Sequence, residues 1–262
     1  MIQDFKQVYI SPMLEPYFGE GFREKWDLSK YNNPNQPSIF LGMYSPNDEM
    51  IFKNHNSYSI MVWGGADQNE FRFNMVRSKS NFLGSPAYRT PLIEAFKKIN
   101  YPHKIINIPF KEYDNFKPTP LGNKIYVYKG IHGDRSDYFK WNDIIQPLIE
   151  HFGPERIIYT QRQPINILIK EFYNNCFIYV KPNEKGGNTT MWELGHMGRK
   201  TIAKNQGSYP NILDYSDLED MISIIHKEEK NIGGTNISIS KEVRNCMGGG
   251  EWLDLNFWMI NK

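Results

Sequence analysis

The chain has 262 residues, and its 31 basic and 29 acidic side chains leave a formal net charge of +2. This near balance does not require a polyanionic partner, so binding to nucleic acid is not expected. Hydrophobic residues make up 40% and aromatic residues 15% of the chain. That content can bury one large or two smaller cores and excludes intrinsic disorder. The two cysteines are too few for a disulfide framework or a cysteine-based zinc site.

The first residues, MIQDFKQVYISP, lack the basic head and apolar run of a signal peptide. No apolar stretch approaches the length of a membrane span. We therefore expect a cytoplasmic protein with no transmembrane segment.

Strand-like and helix-like segments alternate along the chain, which favours α/β architecture with parallel sheets. Residues 1–36 show little pattern and are expected to be mostly irregular. In the first half, strands are predicted at residues 38–43, 58–63, 79–83 and 104–108, and helices at residues 48–54 and 91–99.

Residues 116–123 (FKPTPLGN) contain two prolines and a glycine between periodic segments and predict a linker. We therefore expect two Rossmann-like domains, residues 1–120 and 121–262, that face a cleft. The aromatic tail after Gly250 predicts a terminal helix that packs back on the first domain. In the second half, strands are predicted at residues 124–128, 156–160 and from 176, and helices at residues 136–152, from Pro164 and at 216–226, the last with a Ser216–Glu219 capping box.

The most informative segment is Cys176–Ala203, which predicts a strand, a Gly-Gly loop, a helix carrying Glu193, a glycine stop and a second short strand. A glycine-rich turn that leads into a helix N-terminus can bind an anion, because free N–H groups and the helix dipole both point at it. A carboxylate one turn into the helix can accept hydrogen bonds from sugar hydroxyls. The alternative is structural: Thr190 and Glu193 also match a capping box, which needs no ligand.

The segment GGNTTMWELGHMGRKTIA resembles the donor-site signature of GT-B glycosyltransferases. In that family a glycine-rich loop leads into a helix whose Glu contacts the donor ribose, a role that the resemblance gives to Glu193. The family's loop often carries a second Glu seven positions earlier, whereas here Glu184 precedes Glu193 by a different spacing. The resemblance also predicts that the loop and first helical turn face the donor phosphates or sugar, through Gly186, Gly187, Asn188, Thr189 and Thr190.

A second match follows the predicted linker. Residues 124–135 (KIYVYKGIHGDR) predict a strand that ends in a loop with Lys129, Gly133 and Arg135. GT-B enzymes commonly place a basic side chain and glycines here. Such enzymes stabilise the leaving diphosphate with cationic side chains and helix dipoles. Lys129 and Arg135 are our candidates for that role, although each alone could be a solvated surface charge.

In the first half, the strand at 58–63 ends in Gly64-Gly65-Ala66-Asp67. An acidic residue just beyond a strand end lies where a base for the acceptor hydroxyl is expected if the reaction inverts configuration. Asp67 is the first candidate and His132 the second, while a retaining reaction needs no such base. Asp67 could equally cap a turn or the next helix. Tyr88 and Arg89 are predicted to lie on the acceptor side.

The sequence predicts no metal and no other cofactor. It has no D-x-D pair, and the nearest approach, Asp214 and Asp217, is explained by helix capping. The six histidines are far apart in sequence and show no metal-binding spacing.

These features favour a metal-independent GT-B glycosyltransferase with an abbreviated N-terminal domain. Its substrates would be a nucleotide-sugar donor and a glycan or other small hydroxyl-bearing acceptor. Two alternatives remain: a non-catalytic nucleotide- or glycan-binding protein of the same fold, and a sugar-nucleotide epimerase or hydrolase. The sequence does not identify the donor, the acceptor or the stereochemical outcome.

Overall fold

The computed structural model describes residues 4–87, 89–128, 140–160, 163–183, 189–207 and 209–259. The chain forms two compact units, one of Met1–Glu112 with Met247–Lys262 and one of Tyr113–Cys246. Relative to the division predicted at residue 120, the second unit begins earlier in the chain. The end of the chain belongs to the first unit.

The first unit is built on a parallel sheet. Its strands are β1 (Gln7–Ile10), β2 (Ser29–Lys30), β3 (Ser38–Leu41), β4 (Ser59–Val62), β5 (Phe82–Ala87) and β6 (His103–Ile105). Within the described residues they pair in the order β2-β1-β3-β4-β5-β6, and every pairing is parallel. Helices connect them: α1 (Glu15–Trp26), α2 (Pro46–Lys53), α3 (Glu70–Arg77) and α4 (Thr90–Lys98).

The central strands β3 and β4 are buried along their whole length. This follows from their sequences, SIFL and SIMV, since a strand covered on both faces is apolar throughout instead of alternating. The predicted α/β class is confirmed.

The expectation of irregular structure over residues 1–36 is wrong, because β1, α1 and β2 lie there. Helix α1 has a weak sequence pattern, with two internal glycines that lower its helix propensity. Burial of Phe22 and Trp26 stabilises it, and that burial depends on contacts distant in sequence.

The second unit contains another parallel sheet. Its strands are β7 (Lys124–Tyr128), β8 (Ile157–Thr160), β9 (Cys176–Val180), β10 (Lys200–Ile202) and β11 (Ile212–Leu213). In the described part of this unit their order is β11-β10-β9-β7-β8. The α-helices are α5 (Gln146–Phe152), α6 (Ile165–Ile167), α7 (Thr189–His196), α8 (Leu218–Glu229) and α9 (Ile237–Asn245). Helix α5 follows a π-helical turn (Trp141–Ile145), and α6 continues as another (Leu168–Tyr173).

Helix α8 begins one residue later than its predicted cap. Asp217, and not Ser216, is the N-cap, and its carboxylate accepts from the Asp220 N–H at 2.9 Å. The predicted Ser216–Glu219 capping box is therefore wrong, and the side chain that reaches back to the Ser216 N–H belongs to Asp220, at 3.0 Å.

The predicted linker, residues 116–123, packs within the second unit. Arg199, which is fully buried, donates to the carbonyl oxygens of Thr119 (3.1 Å) and Pro120 (2.8 Å). The Leu121 N–H donates to the Gly234 carbonyl oxygen at 2.8 Å. These bonds satisfy the backbone of a segment that would otherwise bury unpaired polar groups.

After the second unit, a 3₁₀ turn (Gly250–Leu253) and α10 (Leu255–Met259) complete the first unit. The Leu253 carbonyl oxygen accepts from the N–H groups of Asp4 (3.1 Å) and Phe5 (3.2 Å). Trp252 is fully buried and packs edge-on against Trp26, with ring centroids 5.2 Å apart. None of the described helices is both long enough and apolar enough to cross a membrane.

Candidate functional site

The carboxyl edge of the second sheet has the topology of a ligand site. From β7 the chain passes to β8 on one side and then returns to β9 on the other, so that β7 and β9 are neighbours. Their last turns are in register, with Val127 paired to Val180. In open α/β sheets, ligands bind beyond the carboxyl ends of strands at such a reversal of strand order. The segments that begin at residues 129 and 181 therefore leave the sheet side by side.

Helix α7 follows β9 and carries Glu193 at the start of its second turn. The Glu193 side chain is buried, with the residue only 4% exposed. Its carboxylate accepts a hydrogen bond of 2.6 Å from the hydroxyl of Tyr173, at the end of the preceding π-helical segment. Burial, with the negative charge of Glu193 beside it, raises the pKa of Tyr173 well above its ordinary value, while a hydrogen bond with Thr190 opposes that rise. Tyr173 thus stays protonated and acts as a donor that orients Glu193.

Tyr126 on β7 completes this cluster. Its ring packs edge-on against Tyr173 at 5.4 Å and lies 5.4 Å from the ring of Tyr179. Its hydroxyl is buried and has no hydrogen-bond partner in the described part of the chain. Burial, followed by the charges of Tyr179 and Glu193, raises the pKa of Tyr126 well above its ordinary value. A buried hydroxyl without a partner beside a carboxylate is costly for folding alone, so it marks this site for function.

The C-terminal end of α7 is fixed by close packing. A side chain at Gly195 would place its Cβ 2.7 Å from Asn211 Nδ2 and 3.0 Å from Val243 Cγ2. Gly198 has a φ of +84°, and the bonds from the Gly198 N–H to the Gly195 oxygen and from the Arg199 N–H to the Leu194 oxygen form a Schellman motif. The glycine stop predicted from the sequence is therefore a left-handed helix end.

His196, the last residue of α7, is buried in this packing. Its ring stacks on Tyr113 at 4.5 Å, and its Nδ1 lies 2.7 Å from the Trp192 carbonyl oxygen. Burial lowers the pKa of His196 to about 4, so the ring is neutral at physiological pH. The whole helix is thus held on the sheet, with Glu193 in a fixed position.

Several predicted site residues fall outside the described residues. They are Tyr88, Lys129, His132, Gly133, Arg135, Gly186, Gly187 and Asn188. Of the predicted donor-binding residues, Thr189, Thr190 and Glu193 are described, and they lie on the first two turns of α7. Lys181, which sequence reasoning did not single out, lies directly after β9. It is 4% exposed, and its Nζ donates to the Asn183 carbonyl oxygen at 2.8 Å.

In the first unit, Asp67 is fully buried and binds backbone N–H groups. One oxygen accepts from Gly65 (2.7 Å), and the other accepts from Met43 (3.0 Å) and Gly64 (3.2 Å). These donors lie on the loops that follow β3 and β4, so Asp67 ties the two loops together. Burial raises the pKa of Asp67, and the three backbone bonds oppose that rise.

Arg89 lies near Asp67. Its Nη2 donates to Gln68 Oε1 at 2.6 Å, and the residue is 5% exposed. Asp67 follows β4 and Arg89 follows β5, which are neighbouring strands. The structure therefore brings these two predicted residues to the same edge of the first sheet.

Sequence reasoning missed a second buried carboxylate at that edge. Asp48 accepts hydrogen bonds from Tyr9 Oη (2.5 Å), Ser11 Oγ (2.9 Å) and the N–H groups of Tyr44 and Ser45 (both 2.8 Å). Burial alone would raise the pKa of Asp48, but these bonds outweigh it and lower the pKa. The Ser45-x-x-Asp48 capping box was the available signal.

A pocket of about 420 Å³ opens beside the carboxyl end of β1. Its polar wall includes Glu15, Arg23 and Lys30, and its aromatic wall includes Tyr9 and Tyr31. Arg23 and Glu15 form a two-bond ion pair of 2.6 and 3.0 Å. Charged and aromatic groups around a concavity suit a small polar ligand.

Among the described residues, no group of three or more His, Cys, Asp or Glu side chains is arranged to hold a metal ion.

Comparison with known proteins identifies the fold. No protein-family model and no curated protein matches the sequence. Solved structures of GT-B glycosyltransferases do match. The chain therefore has the GT-B fold, as its donor-site signature predicts, without an identified subfamily.

Three of these structures illustrate the likeness. Sucrose-phosphate synthase from Thermosynechococcus elongatus matches with a TM-score of 0.57 and 12% identity, over 96% of this chain and 79% of that chain. Trehalose 6-phosphate synthase from Burkholderia multivorans matches with a TM-score of 0.52 and 9% identity, over 94% and 81%. TarM matches with a TM-score of 0.53 and 13% identity, over 88% of this chain and 56% of that chain. At these identities the likeness extends to the fold alone.

Proposed function

We propose that this protein is a metal-independent glycosyltransferase that moves a sugar from a nucleotide-sugar donor to a hydroxyl of a glycan or other small acceptor. The observation that carries the proposal is the buried Glu193, held by Tyr173 on the helix that follows β9, beside the reversal of strand order between β7 and β9. In a GT-B fold that position matches the donor-site signature read from the sequence.

The donor nucleotide would bind at the start of α7. Thr189 and Thr190 form its first turn, where free N–H groups and the helix dipole favour a phosphate. Glu193 lies one turn further, at a distance suited to the ribose that follows the phosphates. Because Tyr173 already binds one carboxylate oxygen, the carboxylate is oriented before the donor arrives, which lowers the entropy cost of binding.

The leaving diphosphate needs positive charge, because negative charge grows on it as the glycosidic bond breaks. Lys129 and Arg135 remain our proposal for this role. Lys181 is a further candidate, since it lies directly after β9 and is buried. In support, a TarM structure was solved with UDP and a glycan-like ligand, fondaparinux.

The acceptor is proposed to bind the first unit. If configuration is inverted, Asp67 or His132 would be the base. The structure gives Asp67 three backbone N–H partners, so acting as a base would require one of its oxygens to exchange a loop contact for the acceptor hydroxyl. If configuration is retained, Asp67 serves only to tie its loops. The pocket beside β1 is the described concavity best suited to a polar acceptor.

Calorimetry with a panel of UDP-, GDP- and TDP-sugars tests donor binding. We expect one of them to bind, and we expect Glu193→Ala to weaken that binding by about 1–3 kcal/mol, the usual effect of losing a hydrogen-bonded charged partner. Glu171→Ala is the matched control, because Glu171 is exposed on the neighbouring π-helical segment. Absence of binding by every donor would exclude the proposal, and equal affinity of folded Glu193→Ala would exclude the role of Glu193.

Product analysis with the bound donor then distinguishes the alternatives. A transferase forms a glycosylated acceptor. An epimerase or hydrolase consumes donor without an acceptor, and a binding protein leaves the donor intact.

A further inference from the structure

Two histidines of the second unit meet on its surface although they are 75 residues apart in sequence. His151 lies on α5 and His226 on α8, and their Nε2 atoms are 3.1 Å apart. The His226 side chain is 51% exposed, and His151 is exposed as well. The sequence-based expectation that the histidines do not come together is therefore wrong for this pair.

The other nitrogen of His226 is bound to a carboxylate. His226 Nδ1 lies 3.0 Å from Glu229 Oε2, and Glu229 Oε1 accepts from Arg156 Nη2 at 2.6 Å. A carboxylate only accepts, so Nδ1 of His226 carries the proton. In the neutral ring the lone pair is then on Nε2, which faces His151. Histidines that bind metal almost always donate their second ring N–H to a carboxylate, carbonyl or water in this way.

The distance between the two Nε2 atoms fits one shared ion. With the usual metal–nitrogen distance of about 2.0–2.1 Å, a separation of 3.1 Å corresponds to an angle of about 100° at the metal. That angle lies between square-planar and tetrahedral coordination. Phe152 supports both rings, with its centroid 4.7 Å from His151 and 4.9 Å from His226. The arrangement needs little movement to accept an ion.

We propose that His151 and His226 bind one divalent transition-metal ion, such as Zn²⁺, Ni²⁺ or Cu²⁺, and thereby link α5 to α8. Neutral imidazoles suit these ions, whereas Mg²⁺ and Ca²⁺ prefer oxygen ligands. Since the described residues offer no group of three metal-binding side chains, water fills the other coordination positions. The site is consequently weaker than a structural zinc site with four protein ligands, and its ion exchanges with solvent.

The site is separate from the candidate donor site. Helix α5 ends at Phe152, just before β8 begins at Ile157, so His151 lies at the amino edge of the second sheet. Glu193 lies on the helix that leaves the carboxyl edge. A metal on the histidine pair is therefore not placed for catalysis, and the inference does not depend on the proposed function.

Titration calorimetry on the untagged full-length chain, first treated with a chelator, tests the proposal. With Zn²⁺, Ni²⁺ and Cu²⁺ we expect one ion per chain, with Cu²⁺ bound most tightly, as the usual order of affinities predicts. Mg²⁺ is expected to give no binding. The same ions should raise the thermal unfolding midpoint, because they bind only the folded pair.

Variants locate the ion. We expect His151→Ala and His226→Ala each to weaken Ni²⁺ binding at least tenfold and to abolish the rise in unfolding midpoint. Glu229→Gln should weaken binding by about tenfold, the lower limit for loss of a residue that orients a ligand. His103→Ala, in the first unit, is the matched control and should bind as the unaltered chain does.

Two results would overturn the proposal. One is a full-length chain that binds none of the three ions in a one-to-one ratio. The other is unchanged binding in the double variant His151→Ala/His226→Ala, which would assign the ion to other ligands. Because both positions are exposed, both variants are expected to fold, and far-ultraviolet circular dichroism checks this.

Discussion

The hydrogen bond from Tyr173 to Glu193 allows the sharpest test of the candidate site. The substitution Tyr173→Phe removes only the hydroxyl and keeps the ring that packs on Tyr126. The lost bond is short, at 2.6 Å, and both partners are buried. A hydrogen bond to a charged group contributes about 1.5–3 kcal/mol, so we expect the second unit to lose about 2 kcal/mol of unfolding free energy.

A loss of that size lowers the unfolding midpoint by about 4–8 °C in a domain of this size class. Native-state hydrogen exchange on the strands of the second unit measures the loss directly and avoids treating a two-unit protein as a single transition. Donor affinity should fall as well, because the carboxylate of Glu193 loses the partner that orients it. Tyr58→Phe is the matched control, since Tyr58 is 41% exposed in the first unit.

A double-mutant cycle with Glu193→Gln completes the test. If the hydroxyl acts through the carboxylate, removing both groups should cost less than the sum of the single losses, with a coupling of about 0.5–3 kcal/mol. Additive losses, or a Tyr173→Phe variant with unchanged stability and donor affinity, would refute this reasoning.

Two further predictions concern α7. Since burial lowers the pKa of His196 to about 4, against about 6.5 when unfolded, the unfolded chain takes up the proton first as the pH falls. Stability should therefore fall by about 3 kcal/mol between pH 6.5 and 4, and His196→Gln should flatten this part of a denaturation profile; an unchanged slope would contradict the assignment. Gly195→Ala should destabilise the second unit by about 1–3 kcal/mol, because its Cβ would overlap Asn211. Gly250→Ala, which meets open space, is the control in thermal unfolding, and equal midpoints would show that the helix yields at little cost.

Local patterns predicted much of the second unit. The apolar runs of β7 and β9 and the left-handed glycine after α7 are properties of a few consecutive residues, and they are found where the sequence placed them. The position of Glu193 on its helix was predicted in the same way. Its partner Tyr173 was not, because that contact spans 20 residues and depends on how two elements pack.

In the first unit, the missing part of the prediction has a similar cause. Helix α1 has glycines inside it and is stabilised by burial of Phe22 and Trp26 against other parts of the unit. Asp48 lies in a capping box that the sequence displays, but its bonds to Tyr9 and Ser11 join strands that are distant in the chain. The histidine pair on α5 and α8 likewise has no signature in sequence spacing.

The segment after residue 246 has a consequence for biosynthesis. Trp252 fills the core of the first unit beside Trp26, and Leu253 binds the backbone before β1, yet the ribosome adds both residues only after the whole second unit. The nascent first unit therefore waits, with an apolar surface uncovered, while the continuous stretch Tyr113–Cys246 can already fold. The later unit in the chain is thus the earlier one to be completed.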